Sequence, residues 1–210
     1  MEKTITKKNK IFDTKQISST NSLVKIALLS VIAYILMLIE LPIPFFPGFL
    51  KIDLSDMPAL IGAFALGPLA GIIIELIKNL LHLITKTSTG GVGELANFLV
   101  GASLVIPAGI MYAKSKKRTT ALFGMLLGTV LMAVAGALAN YYIIIPFYSK
   151  MMPIDQIIAW SAAANGAIKD LKTLIIYAIV PFNLLKGASI SILTILIYKK
   201  ISHLLVGKGH

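Results

Sequence analysis

Residues 181–187 read Pro181-Phe182-Asn183-Leu184-Leu185-Lys186-Gly187 and place an amide and an ammonium group in an otherwise apolar stretch. A lysine inside a membrane span costs about 2.5–3.5 kcal/mol by insertion scales, and such residues usually face the bundle interior or a polar cavity. Alternatively, Lys186 lies near a helix end and extends its ammonium to the lipid headgroups. The choice between these two interpretations depends on the polar residues elsewhere in the chain.

The composition is that of a membrane protein. Hydrophobic residues make up 57% of the 210 residues and charged residues only 14%, far from a soluble domain of this length. The net charge of +11 lies in tails and connections, so it indicates membrane topology and not a nucleic-acid partner. No cysteine is present, and neither a Walker motif nor an H-E-x-x-H motif occurs, which argues against ATP hydrolysis by that route and against a metal enzyme. The sequence predicts an all-α integral membrane protein that binds no metal.

Proline, glycine and charged residues divide the chain into six apolar segments, each expected to cross the membrane. Ser55 or Asp56 is expected to cap the second segment, with Pro58 in its first turn. Pro181 is expected in the first turn of the sixth span, since proline disrupts a helix interior. The predicted parts are a basic tail (1–22), a six-helix membrane domain (23–203) and a C-terminal tail (204–210), with segments at 23–41, 55–67, 69–85, 94–113, 119–145 and 173–198.

Two further features concern the connections and the packing. Three prolines exclude a helix in loop 42–52, yet its side chains are apolar, so the loop should lie at the interface or fold over something. The longer connection 146–172 predicts a surface helix that contains Trp160. The pairs Gly67/Gly71 and Gly124/Gly128 have the small-xxx-small spacing of close helix contacts.

The Lys and Arg residues predict the orientation. Most of the 20 basic residues fall in the N-terminal tail, the connection at 114–118 and the C-terminal tail, which are therefore expected to be cytoplasmic. Asp53 and Asp56 then lie on the outer side. Tyr141, Tyr142, Tyr148 and Trp160 would form an outer aromatic belt.

Five polar residues fall at similar depth at the outer ends of segments four to six. They are Glu94, Asn97, Asn140, Asn183 and Lys186. Each has an ordinary explanation: Glu94 suits a helix N-terminus, an asparagine can bond across helices, and Lys186 can pair with Glu94. Five such groups on three segments exceed what packing requires. They predict an outward-facing cavity for a polar, uncharged, heterocyclic ligand.

A second polar stripe lies on segment three, where Glu75, Lys78, Asn79 and His82 share one helix face. Glu75 and Lys78 can neutralise each other inside the bundle. Asn79 is the member of this stripe most suited to contact a ligand.

Three blocks of sequence resemble a known family. They are residues 46–82, which begin Phe-Pro-Gly-Phe-Leu-Lys-Ile-Asp, Gly-Glu-Leu-Ala-Asn-Phe at 93–98, and the 181–187 stretch. The chain resembles the riboflavin-specific substrate-binding subunits of energy-coupling factor (ECF) transporters over about residues 23–201. The resemblance implies a six-helix protein of the prokaryotic plasma membrane that binds riboflavin from outside. A shared transmembrane protein and two ABC-type ATPases would supply the energy.

The resemblance also implies roles for individual residues. Glu94, Asn97, Asn140, Asn183 and Lys186 would bond the flavin, and loop 42–52, with Phe49 and Leu50, would act as a lid. The family's Ala-xxx-Ala docking surface has its nearest match at Ala27-xxx-Val31, beside Ser30. A net basic pocket would tolerate the phosphate of FMN near its mouth, so FMN stays open as a second ligand. The alternatives are the same fold binding another vitamin, and a membrane-embedded enzyme acting on a lipid or isoprenoid.

Overall fold

The computed structural model describes residues 17–205 and the side chains of residues 17–198. Most of the predicted basic tail (1–22) and of the C-terminal tail (204–210) therefore lies outside the described residues. The described part is helical, with one small strand pair.

The helices follow one another with short connections. They are α1 (Thr20–Leu38), α2 (Asp56–Leu66), α3 (Pro68–Lys86), α4 (Val92–Ser115), α5 (Arg118–Ala139), α6 (Ile145–Tyr148), α7 (Ile154–Ala164), α8 (Leu171–Leu174) and α9 (Val180–Leu205). Two π-helical turns, π1 (Asn140–Ile144) and π2 (Ile175–Ile179), join α5 to α6 and α8 to α9. Strands β1 (Leu41–Pro42) and β2 (Lys51–Ile52) pair antiparallel between α1 and α2.

Five of the described helical segments are long and apolar enough to cross a membrane. They are Thr20–Leu38, Pro68–Lys86, Val92–Ser115, Arg118–Tyr148 and Leu171–Tyr198. The remaining predicted span, α2, has 11 residues, about 16 Å of helix against a hydrocarbon core of about 30 Å. It cannot cross this thickness alone. The predicted surface helix between segments five and six is confirmed as α7.

The sixth segment begins ten residues before Pro181, so the prediction that Pro181 starts the span is wrong. The helix starts at Leu171 behind a capping box made by Asp170 and Thr173, and it continues through π2. In this turn the Val180 N–H donates to the Ile175 carbonyl, one residue further back than in an α-helix. A widened turn lets the helix pass a proline, whose ring would otherwise clash with the carbonyl four residues earlier. Pro146 follows π1 in the same way.

The proline-rich loop folds back on the bundle as a short hairpin. Leu41 pairs with Ile52 and Pro42 with Lys51, which is a small departure from the all-α prediction. The Phe46 ring lies 5.6 Å from the Phe182 ring at an angle of 68°. The expectation that this apolar loop folds over something is therefore confirmed, and α9 is what it covers.

The hydrophobic core has two parts. The larger part joins α1, α2, α3, α4, α5 and α9, while the smaller one packs Leu50 of the hairpin against Ile157 of α7 and Ile179 and Phe182 of the last helix. Close contact in the larger part needs glycine at Gly128, where a Cβ would lie 2.5 Å from the Leu104 carbonyl oxygen.

The Gly67/Gly71 pair has a different role from the one its spacing indicates. A Cβ at Gly71 would lie 2.5 Å from Val105, but Gly67 has no atom within 4 Å of its Cβ position. Gly67 instead has φ +98° and makes the turn between α2 and α3. Only Gly71 serves helix packing there.

The proposed docking residues divide between two faces of α1. Ala27 and Val31 are exposed, together with Val24, Leu28 and Ile35. Ser30 is fully buried, and its hydroxyl donates to the Ile26 carbonyl at 2.8 Å. Ser30 therefore cannot belong to an exposed docking surface in this structure, because the helical repeat turns it towards the bundle.

Candidate ligand-binding site

A cavity of about 760 Å³ lies between the hairpin, α3, α4, the π1 region, α7 and α9. Its volume falls in the range of small-molecule sites, roughly 300–1,000 Å³. Seven of the eight predicted ligand-contact residues line it: Phe49, Leu50, Glu94, Asn97, Asn140, Asn183 and Lys186. The polar side chains that the sequence placed at one depth therefore come together.

The two π-turns position two amides of the cavity wall. The Asn140 Nδ2 donates to the Gly136 carbonyl and the Asn183 Nδ2 to the Ile179 carbonyl, both at 2.8 Å. Each side-chain oxygen has no protein hydrogen bond within residues 17–198. A Cβ at Gly136 would overlap the Asn183 amide, so this glycine gives Asn183 its space. The wall thus offers two amides held by their own helices.

Asn97 and Glu94 lie one helical turn apart on α4. The Asn97 Oδ1 is buried and has no hydrogen-bond partner among the described residues, a situation that is unfavourable unless a ligand or water supplies a donor. Glu94 is held at both oxygens. Its Oε1 lies 2.8 Å from the His82 Nδ1, and its Oε2 accepts from the hydroxyls of Thr87 and Thr89 at 3.1 and 3.2 Å.

Lys186 does not pair with Glu94, so the ion pair that the sequence allows between these two residues is not formed. Its Nζ donates to the Asp53 Oδ2 at 2.8 Å and lies 3.4 Å from the Asp56 Oδ2. Only 5% of Lys186 is exposed, so it does not extend to the lipid headgroups. Lys186 is a buried, paired lysine on the cavity wall.

Asp53 and Asp56 are the functional candidates that the sequence reasoning missed. The sequence suggests an outer position for both and a capping role for Asp56, but both are buried, and the side chain of the N-cap residue Ser55 makes no capping hydrogen bond to α2. The Asp53 Oδ1 instead accepts from the Ser55 N–H at 2.9 Å. The presence of both carboxylates at the start of an apolar helix was the available indication of this role. A chain with two buried lysines needs buried carboxylates as counter-charges.

Asp56 connects the cavity wall to the polar stripe of α3. The Lys78 Nζ binds Asp56 and lies 2.8 Å from the Glu75 Oε2, which confirms the expected neutralisation of Glu75 by Lys78. It also donates to the Ser55 hydroxyl at 2.8 Å. Asn79 is absent from the cavity lining, and its amide donates to the Glu75 carbonyl at 2.8 Å. Of the stripe, His82 reaches the cavity and Asn79 does not.

A cluster of apolar side chains lines another part of the cavity. Phe182, Ile145 and Ile157 are largely buried there, with Leu50 from the hairpin and Tyr148 after π1. Trp160, the only tryptophan of the chain, is 65% exposed and lies at the same cavity. This part suits an aromatic ring system, and Trp160 provides a natural fluorescence reporter.

The cavity is not net basic, contrary to the expectation from sequence. Glu40, Asp53 and Glu94 line it, against Lys51 and Lys186. Lys51 and Glu40 pair at 2.9 Å, and Asp53 takes Lys186. Of the two lysines that line the cavity, neither lacks a carboxylate partner. Within the described residues, no group of three or more His, Asp or Glu side chains could hold a metal ion.

Taken together, the arrangement suits a neutral, planar, polar ligand. Amide groups and a paired ammonium provide hydrogen bonds, and an apolar cluster of aromatic and aliphatic side chains provides contact for a ring system. Burying a ligand's polar edge is favourable only if its donors and acceptors find partners.

Comparison with known proteins identifies the family. Residues 21–198 match the family model described as ECF transporter, substrate-specific component. A "Riboflavin transporter RibU" of Staphylococcus aureus (strain TCH60) is 37% identical over 183 residues, covering 87% of this chain and 91% of the relative. A "Riboflavin transporter FmnP" of Bacillus subtilis (strain 168) is also 37% identical over 183 residues, covering 85% and 90%.

A solved structure supports the same assignment. The protein described in "Structure and mechanism of the S component of a bacterial ECF transporter" superposes with a TM-score of 0.70 at 35% identity, covering 87% of this chain and 96% of that chain. The residues that match the family model reach from the second residue of the first long apolar helix to the end of the last one. The chain therefore belongs to the substrate-specific components of ECF transporters, multi-pass transport proteins of the prokaryotic plasma membrane and not enzymes.

Proposed function

We propose that this chain is the riboflavin-binding component of an ECF transporter and that its cavity takes up riboflavin with high affinity. The observation that carries the proposal is the joint lining of one cavity by Asn97, Asn140, Asn183 and Lys186. Two relatives named riboflavin transporters, each 37% identical over most of the chain, support the choice of ligand.

The chemistry of riboflavin fits both parts of the cavity. Its pyrimidine edge carries carbonyl acceptors and an N–H donor, which amides and an ammonium satisfy in either direction. We assign Asn183 and Lys186 to the pyrimidine carbonyls and Glu94 or Asn97 to the ribityl hydroxyls. Phe49, Leu50 and the other apolar side chains would cover the dimethylbenzene ring. Riboflavin is uncharged, so its burial leaves the ion pairs of the cavity balanced.

Binding can be measured with the natural protein. Riboflavin added to the purified chain should quench Trp160 fluorescence to saturation at one equivalent, and the copurified ligand should colour the preparation yellow. A colourless protein that leaves Trp160 fluorescence unchanged when riboflavin is added would refute the proposal. Saturable quenching by a different vitamin would favour the alternative ligand.

The amide wall has its own test. Asn140→Ala should weaken riboflavin binding, because it removes an amide whose oxygen has no partner in the described part of the chain, and the helix should remain intact. Ser191→Ala is the control, since Ser191 is a buried polar residue of α9 outside the cavity. Equal affinity of Asn140→Ala and the wild type would exclude Asn140 from the site.

FMN should bind more weakly than riboflavin. Its phosphate would meet a rim where Lys51 is already paired with Glu40. Competition of FMN against riboflavin, followed by Trp160 fluorescence, measures the difference. Equal affinity would show that the rim accommodates the phosphate and would keep FMN as a second substrate.

The proposed topology has six membrane segments with both termini in the cytoplasm. The short helix α2 would be the incomplete segment, packed between longer helices, and the basic connection between α4 and α5 would face the cytoplasm. The natural chain has no cysteine, so single cysteines introduced at Ser115 and Gly166 can be labelled with an impermeant maleimide. Labelling of Ser115→Cys from outside intact cells would contradict this orientation.

The proposed partners are a shared transmembrane protein and two ABC-type ATPases. Ala27 and Val31, exposed on α1, would belong to the docking surface. A bulky Ala27→Trp substitution should reduce copurification with this energy-coupling module while riboflavin binding stays unchanged. Undiminished copurification would place docking on another face.

A further inference from the structure

Lys186, the buried lysine that lines the cavity, makes ion pairs within a row of buried charged side chains from three other elements. Asp53 follows the hairpin, Asp56 begins α2, and Lys78 and Glu75 lie on α3. The contacts run in the order Asp53, Lys186, Asp56, Lys78 and Glu75, so carboxylates and ammonium groups alternate. Asp56, Lys78 and Glu75 are fully buried. None of these three lines the cavity.

This row provides what a flexible lysine needs to act as a directional donor. The ammonium group of a lysine stands on a flexible four-carbon chain and carries three equivalent N–H donors, so its donors have no fixed direction without partners. Asp53 and Asp56 approach the Lys186 Nζ at 2.8 and 3.4 Å. The Asp53 Oδ2 accepts one N–H of Lys186, whereas the Asp56 Oδ2 is a charge partner of the ammonium without hydrogen-bond geometry among the described residues. The remaining N–H donors of Lys186 are available to the cavity.

The position of Asp56 is fixed in turn by α3. Its Oδ1 binds Lys78, while its Oδ2 faces Lys186. The α4 backbone closes this region, because a Cβ at Gly101 would lie 2.5 Å from the Glu75 Oε2 and 3.0 Å from the Asp56 Oδ1. The carboxylates therefore have little freedom to move, and a side-chain partner of a binding group is effective when it is itself constrained.

We infer that Asp53 and Asp56 are positioning residues for ligand recognition, which direct one N–H of Lys186 into the cavity. Lys78 and Glu75 hold Asp56 in the orientation that this requires. The inference extends the proposed riboflavin site to Asp56, which does not line the cavity, and gives Asp53, which does, a role that it exerts through Lys186. It rests on the proposed function only for the choice of riboflavin as the probe.

The decisive measurement is a double-substitution cycle on riboflavin affinity, read from Trp160 quenching. Asp56→Asn should weaken binding by about 10- to 100-fold, by analogy with the loss of a partner that orients a metal-binding side chain. In the Lys186→Met background the same Asp56→Asn change should have no further effect, because the ammonium that it positions is gone. A loss that persists undiminished in this background, or an unchanged affinity of Asp56→Asn alone, would overturn the inference.

Asp53→Asn repeats the cycle at a less deeply buried carboxylate that does line the cavity. If Asp53 contacts riboflavin itself, its effect will survive in the Lys186→Met background, and its assignment as a positioning residue will fail. The visible absorption band of bound riboflavin gives a second signature. It should change in the same way in Asp56→Asn and Lys186→Met, since both variants alter one hydrogen bond to the ring.

Folding is separated from positioning by measurements without ligand. Asp155→Asn is the matched carboxylate control, because Asp155 is exposed on α7 and outside the cavity, and Thr194→Val controls for a lost buried polar group on α9. Failure of both Asp56→Asn and Asp53→Asn to fold would assign them a purely structural role and overturn the inference. A wild-type protein that does not bind riboflavin would instead refute the proposed function.

Discussion

Two lysines at the same cavity make ion pairs of nearly equal length in opposite surroundings. Lys186 lies 2.8 Å from Asp53, with 6% and 8% of the two side chains exposed. Lys51 lies 2.9 Å from Glu40, with 45% and 34% exposed. Distance alone would rank the two pairs as equal.

Burial makes their consequences different. An exposed pair contributes about 0–1 kcal/mol, since water and salt screen it and both side chains lose freedom. Removing one partner of a buried pair leaves a charge without solvent and costs about 3–5 kcal/mol. The buried pair therefore fixes the geometry of the site, while the pair on the rim chiefly keeps the mouth of the cavity neutral.

The largest expected effect is that of Lys186→Met. This change keeps most of the side-chain volume but leaves Asp53 and Asp56 without their shared ammonium, so unfolding should become easier by about 3–5 kcal/mol. Riboflavin binding should be weaker as well, yet measurable at higher riboflavin concentration. Denaturation in detergent measures the first effect, with Lys51→Met as the control. Equal destabilisation by the two substitutions would show that burial does not separate these pairs.

A second effect on the buried side is expected from Gly136→Ala. The new methyl group would overlap the Asn183 amide, and overpacking of this kind costs about 1–3 kcal/mol. Displacement of Asn183 should also weaken riboflavin binding. Gly166→Ala is the control, because no atom lies within 4 Å of its Cβ position. Unchanged affinity of Gly136→Ala would exclude Asn183 from ligand contact.

On the exposed side, Glu40→Gln should change the free energy of unfolding by less than about 1 kcal/mol. The glutamine keeps the shape of the side chain and removes only its charge. Raising the salt concentration should bring the wild type and the variant closer together, because ions screen exposed pairs. A difference that does not depend on salt would mean that the rim pair is shielded from solvent.

The smallest effect concerns Asp170, a fully exposed carboxylate at the start of the last long helix. Hydrogen bonds from the Thr173 backbone N–H and hydroxyl keep the pKa of Asp170 below its usual value. A lowered folded-state pKa means that the stabilisation is present above the pKa of the unfolded chain and is lost as the pH falls through the folded-state pKa.

Asp170→Asn keeps an acceptor for the cap but cannot ionise. The wild type should therefore unfold at a slightly higher temperature than Asp170→Asn near neutral pH, and the two should converge in acid. Thermal unfolding between neutral and acidic pH measures this difference. Divergence towards acid would contradict the sign.

The sequence indicated which polar side chains line one cavity, while their contact with a ligand stays a prediction. Polar residues are costly in apolar helices, so Glu94, Asn97, Asn140, Asn183 and Lys186 stood out individually, and all of them line the cavity. The apolar character of the proline loop similarly indicated that it covers another element.

The errors arose where a residue's role depends on its partner. Asp53 and Asp56 look like ordinary residues before a helix, and only the fold places them against Lys186 and Lys78. Pro181 reads as a helix start because proline is tolerated in a first turn. The helix instead continues past Pro181 through the widened turn π2, which depends on tertiary packing for its stability. Ser30 lies next to exposed residues in sequence but is buried on the opposite side of α1.

The sequence by itself determined that the chain is a helical membrane protein, because runs of apolar residues and the cost of polar groups in lipid leave few other structures. It also determined which residue types were available for a polar site. The tertiary structure decided which charges pair, since a buried carboxylate and ammonium separated by 133 residues in the chain meet only when the hairpin and the last helix pack together. Burial of those pairs, and not their spacing in the chain, orients Lys186.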